Sequence, residues 1–252
     1  MEKSKVDPAA AATIARGGNA IYGVPLGILM LDSKFERFNG DIGNAQTWPF
    51  PVQYKIVRGA VPNKVVDTLN NRHLFQMFAD AADELIRDGV DGITTTCGFL
   101  ALYQQELAAH CSVPVATSAL LQVPMVARVL PKGKRPAILT FSAESLTMHH
   151  LAAVGIDPDT PVVGLPAASE FQRSIREGDN TVPFETLKNE VLDTAERMLK
   201  DDPSIGAIVC ECTNITPYSH EINRRLGVPV FDMVTLVHWF HRALRPQRFP
   251  QD

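Results

Sequence analysis

The stretch CGFLALYQQELAAHCSVPV (residues 97–115) has a counterpart later in the chain, CTNITPYSHEINRRLGVPV (residues 212–230). When Cys97 and Cys212 are aligned, the two stretches also match a tyrosine, a glutamate and a Val-Pro-Val triplet. A match of this length between distant segments indicates an internal repeat. The pattern therefore predicts a duplicated α/β half, with one thiol from each half brought to a shared cleft.

Length and composition set the class of protein. The chain has 252 residues, enough for one large domain or two small ones. Its net charge of −4 offers no basic surface for nucleic acid or an anionic membrane. No apolar run reaches the ~18 residues of a membrane span, and the N-terminus has no apolar signal core. We therefore expect a cytoplasmic protein with reduced cysteines that binds neither nucleic acid nor membrane.

Short apolar runs alternate with segments of helical periodicity in both halves. The predicted strands include Gly27–Leu31, Ile93–Thr96, Ala137–Phe141 and Ile205–Cys210, and the predicted helices include Asn71–Asp88 and Phe184–Lys200. Such alternation is typical of parallel sheets flanked by helices, which bind ligands beyond the carboxyl ends of their strands. The predicted fold class is α/β, with two pseudosymmetric Rossmann-like domains, parallel sheets and the active site in the interdomain cleft.

The repeated cysteines follow predicted strands and precede predicted helices, where the helix N-terminus lowers a thiol pKa towards neutrality. A nucleophilic cysteine usually has a histidine base, but the equivalent position holds a second cysteine. Cys210 and Cys212 lack the spacing of zinc ligands, so we expect no metal. Two facing thiols suit the removal of a proton from one face of a carbon acid and its return to the other. The alternative is that both are buried hydrophobic residues.

Several polar side chains lie at strand ends near the cysteines, where hydroxyls and helix N–H groups can hold a carboxylate. These candidates are Thr96, Thr140, Ser142, Thr213 and Asn214. Asp41, in the loop Gly40–Asn44, either lines the mouth of the cleft or forms an Asx turn. Glu211 either influences the protonation of Cys212 or points to the opposite face.

At these residues the chain resembles the aspartate/glutamate/hydantoin racemase superfamily, cofactor-independent enzymes with two pseudosymmetric α/β domains. Glu211-Cys212-Thr213-Asn214 is similar to the family's Gly-Cys-Thr-Glu/His segment. Thr96-Cys97-Gly98-Phe99 occupies the place of its Cys-Asn-Thr. The resemblance makes Cys97 and Cys212 the two catalytic bases, with Thr213 and Gly98 in the substrate site. It also implies a first domain of residues 21–115 plus 230–252 and a second of residues 116–229, after a loose tail of residues 1–20.

Departures from the family pattern bear on the substrate. Gly98-Phe99 replaces the Asn-Thr pair that grips the carboxylate in amino-acid racemases, and Asn214 replaces the acidic or histidine residue. We expect an isomerase without cofactor, a racemase or epimerase of a small carboxylate such as an amino acid or a hydantoin. The alternatives are an enzyme like maleate cis–trans isomerase or arylmalonate decarboxylase, or a non-catalytic small-molecule sensor. Dimers are the commonest soluble assemblies, and a homo-oligomer is among the partners we consider.

Overall fold

The computed structural model describes residues 18–67 and 72–250. Residues 1–17 of the predicted tail lie outside the described residues. Asn71, where the sequence predicts that a helix begins, also lies outside them. The strands are β1 Leu26–Leu31, β2 Val52–Val57, β3 Gly92–Thr95, β4 Val115–Ala116, β5 Arg135–Thr140, β6 Val162–Gly164, β7 Ile205–Cys210 and β8 Val230–Phe231. The α-helices are α1 Pro62–Asp67, α2 Arg72–Asp88, α3 Gln104–His110, α4 Val123–Val129, α5 Met148–Ala153, α6 Glu170–Glu177, α7 Phe184–Asp201, α8 Ser219–Leu226 and α9 Met233–Leu244. The 3-10 helices are Ala45–Thr47, Gly98–Tyr103, Ala119–Gln122 and Thr213–Tyr218.

The strands form two four-stranded parallel sheets, in the orders β2-β1-β3-β4 and β6-β5-β7-β8. Both sheets have the same order of strands along the chain, so the internal repeat appears as two copies of one topology. The order reverses beside the first strand of each sheet, the position where open α/β sheets bind ligands. The predicted α/β fold with two parallel sheets is confirmed.

The central strands are apolar because both of their faces are covered by helices. Leu26, Ile28 and Leu29 of β1 are fully buried, as are Ile138 and Leu139 of β5. Within the residues that the structure describes, no helix is both long enough and apolar enough to cross a membrane.

The C-terminal segment connects the two halves. β8 pairs in parallel with β7, so Val230–Phe231 lies in the second sheet, although the predicted boundary assigned residues from 230 onward to the first domain. The following helix α9 returns to the first sheet, where Phe240 and Leu244 pack closely on Gly92 of β3. The division into two domains at these boundaries stays a prediction.

Candidate active site

Cys97 and Cys212 lie at equivalent places in the two halves. Cys97 follows β3 and Thr96 and directly precedes the 3-10 helix Gly98–Tyr103. Cys212 follows β7 and Glu211 and directly precedes the 3-10 helix Thr213–Tyr218. Both side chains line one cleft and are only 8% and 7% exposed, respectively. We call this space the thiol cleft; the catalytic role of its two cysteines stays a prediction.

The thiols have raised pKa values, contrary to the expectation from their position before helices. Burial raises the pKa of Cys97 to about 12, and the charge of Glu211 adds to the effect, while the N–H groups of Phe99 and Leu100 oppose it. The pKa of Cys212 is also raised, first by burial and then by Glu211. The expectation was wrong because short 3-10 helices supply few N–H groups, and loss of hydration outweighs them.

Glu211 is a fully buried carboxyl between the two halves of the site. Its Oε2 atom accepts a hydrogen bond of 2.6 Å from the Thr140 hydroxyl, whereas Oε1 has no hydrogen-bond partner. Burial raises its pKa to about 7. Gly98 packs so closely here that a Cβ atom would lie 2.2 Å from Oε1. Glu211 thus lies beside both cysteine segments. Its charge helps to raise the pKa of Cys212, which agrees with the first of the two interpretations, an influence of Glu211 on the protonation of Cys212.

The predicted hydroxyl groups are mostly engaged in the framework of the site. Thr213 donates a 2.8 Å hydrogen bond to the carbonyl of Thr96, which joins the two halves. The Thr96 hydroxyl accepts a bond of 3.1 Å from the N–H of Leu31. Thr96, Gly98, Thr213 and Asn214 line the thiol cleft.

Two further candidates lie behind the cleft. Thr140 is fully buried and contacts Glu211, and Ser142 accepts a hydrogen bond of 3.3 Å from the N–H of Ser145. Neither is among the residues that line the cleft. Their position is consistent with supporting Glu211 and the adjoining loop, and their predicted contact with substrate remains a prediction.

Asp41 forms the Asx turn that one interpretation of its loop proposed, and it also contacts a residue of the thiol cleft. One carboxylate oxygen accepts from the N–H of Gly43 at 2.7 Å, as in an Asx turn, and from Arg37 at 2.7 Å. The other accepts from the Asn214 amide at 2.7 Å. Asn214 in turn accepts a 3.7 Å hydrogen bond from the Cys212 thiol. Asp41 is therefore both a structural residue of the loop and a member of the network that reaches Cys212.

Helix α6, the loop after β1 and the residue after β5 supply cleft side chains that the sequence analysis did not assign to the site. Arg176 of α6 lines the thiol cleft together with Phe35 and Phe141, and its guanidinium carbon lies 5.2 Å from the centre of the Phe141 ring. Among the described residues that line the cleft, Arg176 is the only basic one. No motif marks these positions, because they meet only when three distant segments of the chain pack together at the cleft.

Metal binding has no visible basis in the described residues. Within residues 18–67 and 72–250, no three His, Cys, Asp or Glu side chains are grouped so that they could hold a metal ion. Cys210 is fully buried in the core, which agrees with its predicted packing role.

Sequence comparison finds relatives that are named as lyases, while no protein-family model matches the chain. Dimethylsulfoniopropionate lyase of Durusdinium sp. clade D is 28% identical over 225 residues, which cover 86% of this chain and 74% of the relative. Dimethylsulfoniopropionate lyase 6 of Emiliania huxleyi is 30% identical over 219 residues, covering 83% of this chain and 57% of the relative. The chain thus spans little more than half the length of the second relative.

Solved structures with the same fold come from several enzyme classes. A mutant of arylmalonate decarboxylase in a sulfate-associated form superimposes with a TM-score of 0.61 at 17% identity, covering 88% of this chain and 97% of that one. Allantoin racemase from Klebsiella pneumoniae superimposes with a TM-score of 0.57 at 19% identity, covering 90% of this chain and 96% of that one. Glutamate racemase from Francisella tularensis superimposes with a TM-score of 0.51 at 18% identity, covering 91% of this chain and 86% of that one.

These neighbours show the fold. The chain has the two-sheet α/β fold of arylmalonate decarboxylase, allantoin racemase and glutamate racemase, which is the fold that the resemblance stated from the sequence implied. The named relatives and neighbours are enzymes, which supports an enzymatic role. They include lyases, a decarboxylase and racemases, so the narrower prediction of an isomerase stays a prediction.

Proposed function

We propose that the chain is a lyase that removes the α-proton of a small carboxylate with a cysteine thiolate and expels a neutral sulfide from the β-carbon. The substrate class is a β-sulfonium carboxylate, of which dimethylsulfoniopropionate is the simplest example. The observation that carries the proposal is the pair of thiols lining one cleft beside Arg176. The names of the sequence relatives support the sulfonium substrate.

The electron balance of the step is simple. The thiolate takes the proton from the carbon next to the carboxylate, and the electron pair of that C–H bond forms the new C=C bond. The β-carbon–sulfur bond breaks, and its electron pair stays on sulfur. The products are acrylate and dimethyl sulfide, and the positive charge of the sulfonium is cancelled.

The substrate carboxylate needs positive partners because negative charge spreads onto it as the α-proton leaves. Arg176 supplies a cation at the edge of the thiol cleft. The N–H groups at the starts of the two 3-10 helices supply further donors, which also favour the charged form of each cysteine. Donors arranged in advance around a developing charge stabilise the transition state.

The thiol must lose its own proton before it can act as a base. Glu211 is the proposed acceptor, since burial raises its pKa to about 7 and an acceptor works best with a pKa near the working pH. The raised pKa of each thiol makes this transfer unfavourable in the empty site. A cationic substrate offsets that cost, because positive charge near the sulfur favours the thiolate.

Racemisation is the second candidate, favoured by the equivalent positions of the two thiols in the repeat. It requires both cysteines, one on each face of the α-carbon, and needs no leaving group. In deuterated water, racemisation gives inverted product with deuterium at the α-carbon, whereas elimination gives acrylate and dimethyl sulfide.

The test is incubation with dimethylsulfoniopropionate in deuterated water. Headspace gas chromatography measures dimethyl sulfide, and proton NMR measures acrylate. We expect release by the wild type and a loss of about a thousandfold or more in at least one of Cys97→Ser and Cys212→Ser, the variant that lacks the base, since general-base catalysis contributes about 10²–10⁴-fold. Cys111→Ser is the matched control, because Cys111 ends α3 outside the cleft. Absence of acrylate from the wild type, or full activity in both site variants, contradicts the proposal.

A further inference from the structure

A second cavity adjoins the thiol cleft, and its walls are rich in aromatic rings. We call it the aromatic pocket; its rings are Phe35, Phe38, Phe171, Phe184 and Tyr218. It has a volume of about 120 Å³, whereas the thiol cleft has about 30 Å³. The two spaces share Phe35, Ile175 and Asn214 as walls. A small substrate that reaches the thiols therefore has room for its bulkier end in the aromatic pocket.

The rings of the aromatic pocket meet at different angles. The centres of Phe38 and Phe184 are 4.9 Å apart at an interplanar angle of 75°. Phe184 and Tyr218 are 5.0 Å apart at 36°, and Phe171 lies 6.3 Å from Tyr218 at 65°. Phe35, Phe38 and Phe184 are half-buried, so their rings can offer a face or an edge to a guest. Phe171 and Tyr218 are almost fully buried and pack with these rings as part of the wall. Aromatic faces carry partial negative charge and attract onium cations.

The charged residues of the aromatic pocket have one sign. Glu36, Asp41 and Asp179 line it, and the described lining residues include no lysine or arginine. Two of these carboxylates have partners outside the lining, since Asp41 pairs with Arg37 and Asp179 with Arg173. The basic residue of the site, Arg176, instead lines the thiol cleft. The two adjoining spaces thus differ in their charged side chains: Arg176 and Glu211 line the thiol cleft, whereas the charged residues that line the aromatic pocket are all acidic. A basic partner for a substrate carboxylate is therefore found only on the thiol-cleft side of the described lining.

The wall that the two spaces share lies next to a thiol. Asn214 lines both the thiol cleft and the aromatic pocket. Its amide accepts a hydrogen bond of 3.7 Å from the Cys212 thiol and donates one of 2.7 Å to the Asp41 carboxylate. A group held in the aromatic pocket is therefore close to Cys212. In a β-sulfonium carboxylate, the carbon that loses its proton is two bonds from sulfur, so a short chain can span from one space to the other.

We propose that the aromatic pocket binds the onium end of the substrate and selects for a positively charged leaving group. The assignment of that end as a sulfonium rests on the proposed function. The selection for positive charge rests on the rings and carboxylates alone, so it can be tested by binding without turnover.

The test compares two carboxylates of the same shape that differ by one charge, 3-(trimethylammonio)propionate and 4,4-dimethylpentanoate. Isothermal titration calorimetry measures their dissociation constants on the wild-type protein. We expect the cation to bind at least about tenfold more tightly, in line with a desolvated cation–π contact. Equal affinity for the two probes overturns the inference.

Phe184→Leu removes the ring that contacts both Phe38 and Tyr218, and we expect it to reduce the preference for the cation to about threefold or less. Phe38→Leu is a second variant with the same expected result, should the first fail to fold. Phe50→Leu is the matched control, because Phe50 is a half-buried ring that stacks on His241 at 3.6 Å outside the pocket. A preference that survives in both pocket variants overturns the inference.

Acrylate release, measured separately, distinguishes this inference from the proposed function. Charge preference without acrylate release supports the pocket and contradicts the lyase. Acrylate release by a wild type that does not distinguish the two probes supports the lyase and contradicts the pocket.

Discussion

Glu211→Gln keeps the shape of a buried side chain while removing its ability to ionise, so it isolates the effect of this carboxyl on stability. Burial raises the folded-state pKa of Glu211 from the usual 4.5 to about 7. Between these two values, the folded protein holds a proton that the unfolded chain has released. The protonated Glu211 therefore makes its full contribution to the free energy of unfolding below about pH 4.5, and this contribution is lost as the pH rises through 7.

The size of the effect follows from the difference between the two pKa values. Each pKa unit corresponds to about 1.4 kcal/mol, so the contribution of Glu211 amounts to about 3 kcal/mol. The assay is urea unfolding at a series of pH values from 5 to 8, with the free energy of unfolding extrapolated to water. We expect the wild type to lose about 2 to 3 kcal/mol relative to Glu211→Gln across this range. The pH dependence of other groups is common to both proteins and cancels in the difference.

Thr140→Val provides a matched comparison. The Thr140 hydroxyl donates to Glu211 at 2.6 Å and lowers the pKa of its carboxyl. Removing the hydroxyl should raise that pKa further, so the loss of stability shifts to higher pH. Parallel stability curves for the wild type and Glu211→Gln from pH 5 to 8 would refute the reasoning, because they would mean that Glu211 has an ordinary pKa.

Two further predictions concern the thiol cleft. Gly98→Ala places a Cβ atom 2.2 Å from the carbonyl oxygen of Glu211. We expect thermal unfolding to show a loss of stability of about 1–3 kcal/mol. We also expect turnover to fall about a hundredfold, because the neighbouring Cys97 thiol shifts. Gly27→Ala is the control, because the three atoms nearest to its Cβ all belong to the side chain of Leu85 and none to the backbone. Equal turnover of the two variants would exclude a special role for Gly98. Iodoacetamide at pH 8 is expected to modify Cys97 roughly a thousandfold more slowly in the folded than in the unfolded protein. The thiolate is the reacting form, and burial raises the pKa of Cys97 to about 12. Equal rates of modification, measured by mass spectrometry, would contradict this pKa.

The sequence alone predicted the architecture of this protein. The repeat around Cys97 and Cys212 indicated two copies of one α/β unit, and the apolar runs indicated parallel strands buried on both faces. These features are local: a strand or helix leaves its periodicity in neighbouring residues. For the same reason, the sequence correctly placed both cysteines beyond strand ends.

Only the tertiary structure decided the electrostatics of the site. The sequence predicted lowered thiol pKa values from the nearby helices, but burial and the charge of Glu211 raise them instead. The aromatic pocket likewise combines the loop after β1, helix α6, the start of α7 and the 3-10 helix after Cys212. Hydration and Coulomb energies depend on which distant residues meet in space, and no period or motif in the chain records those contacts.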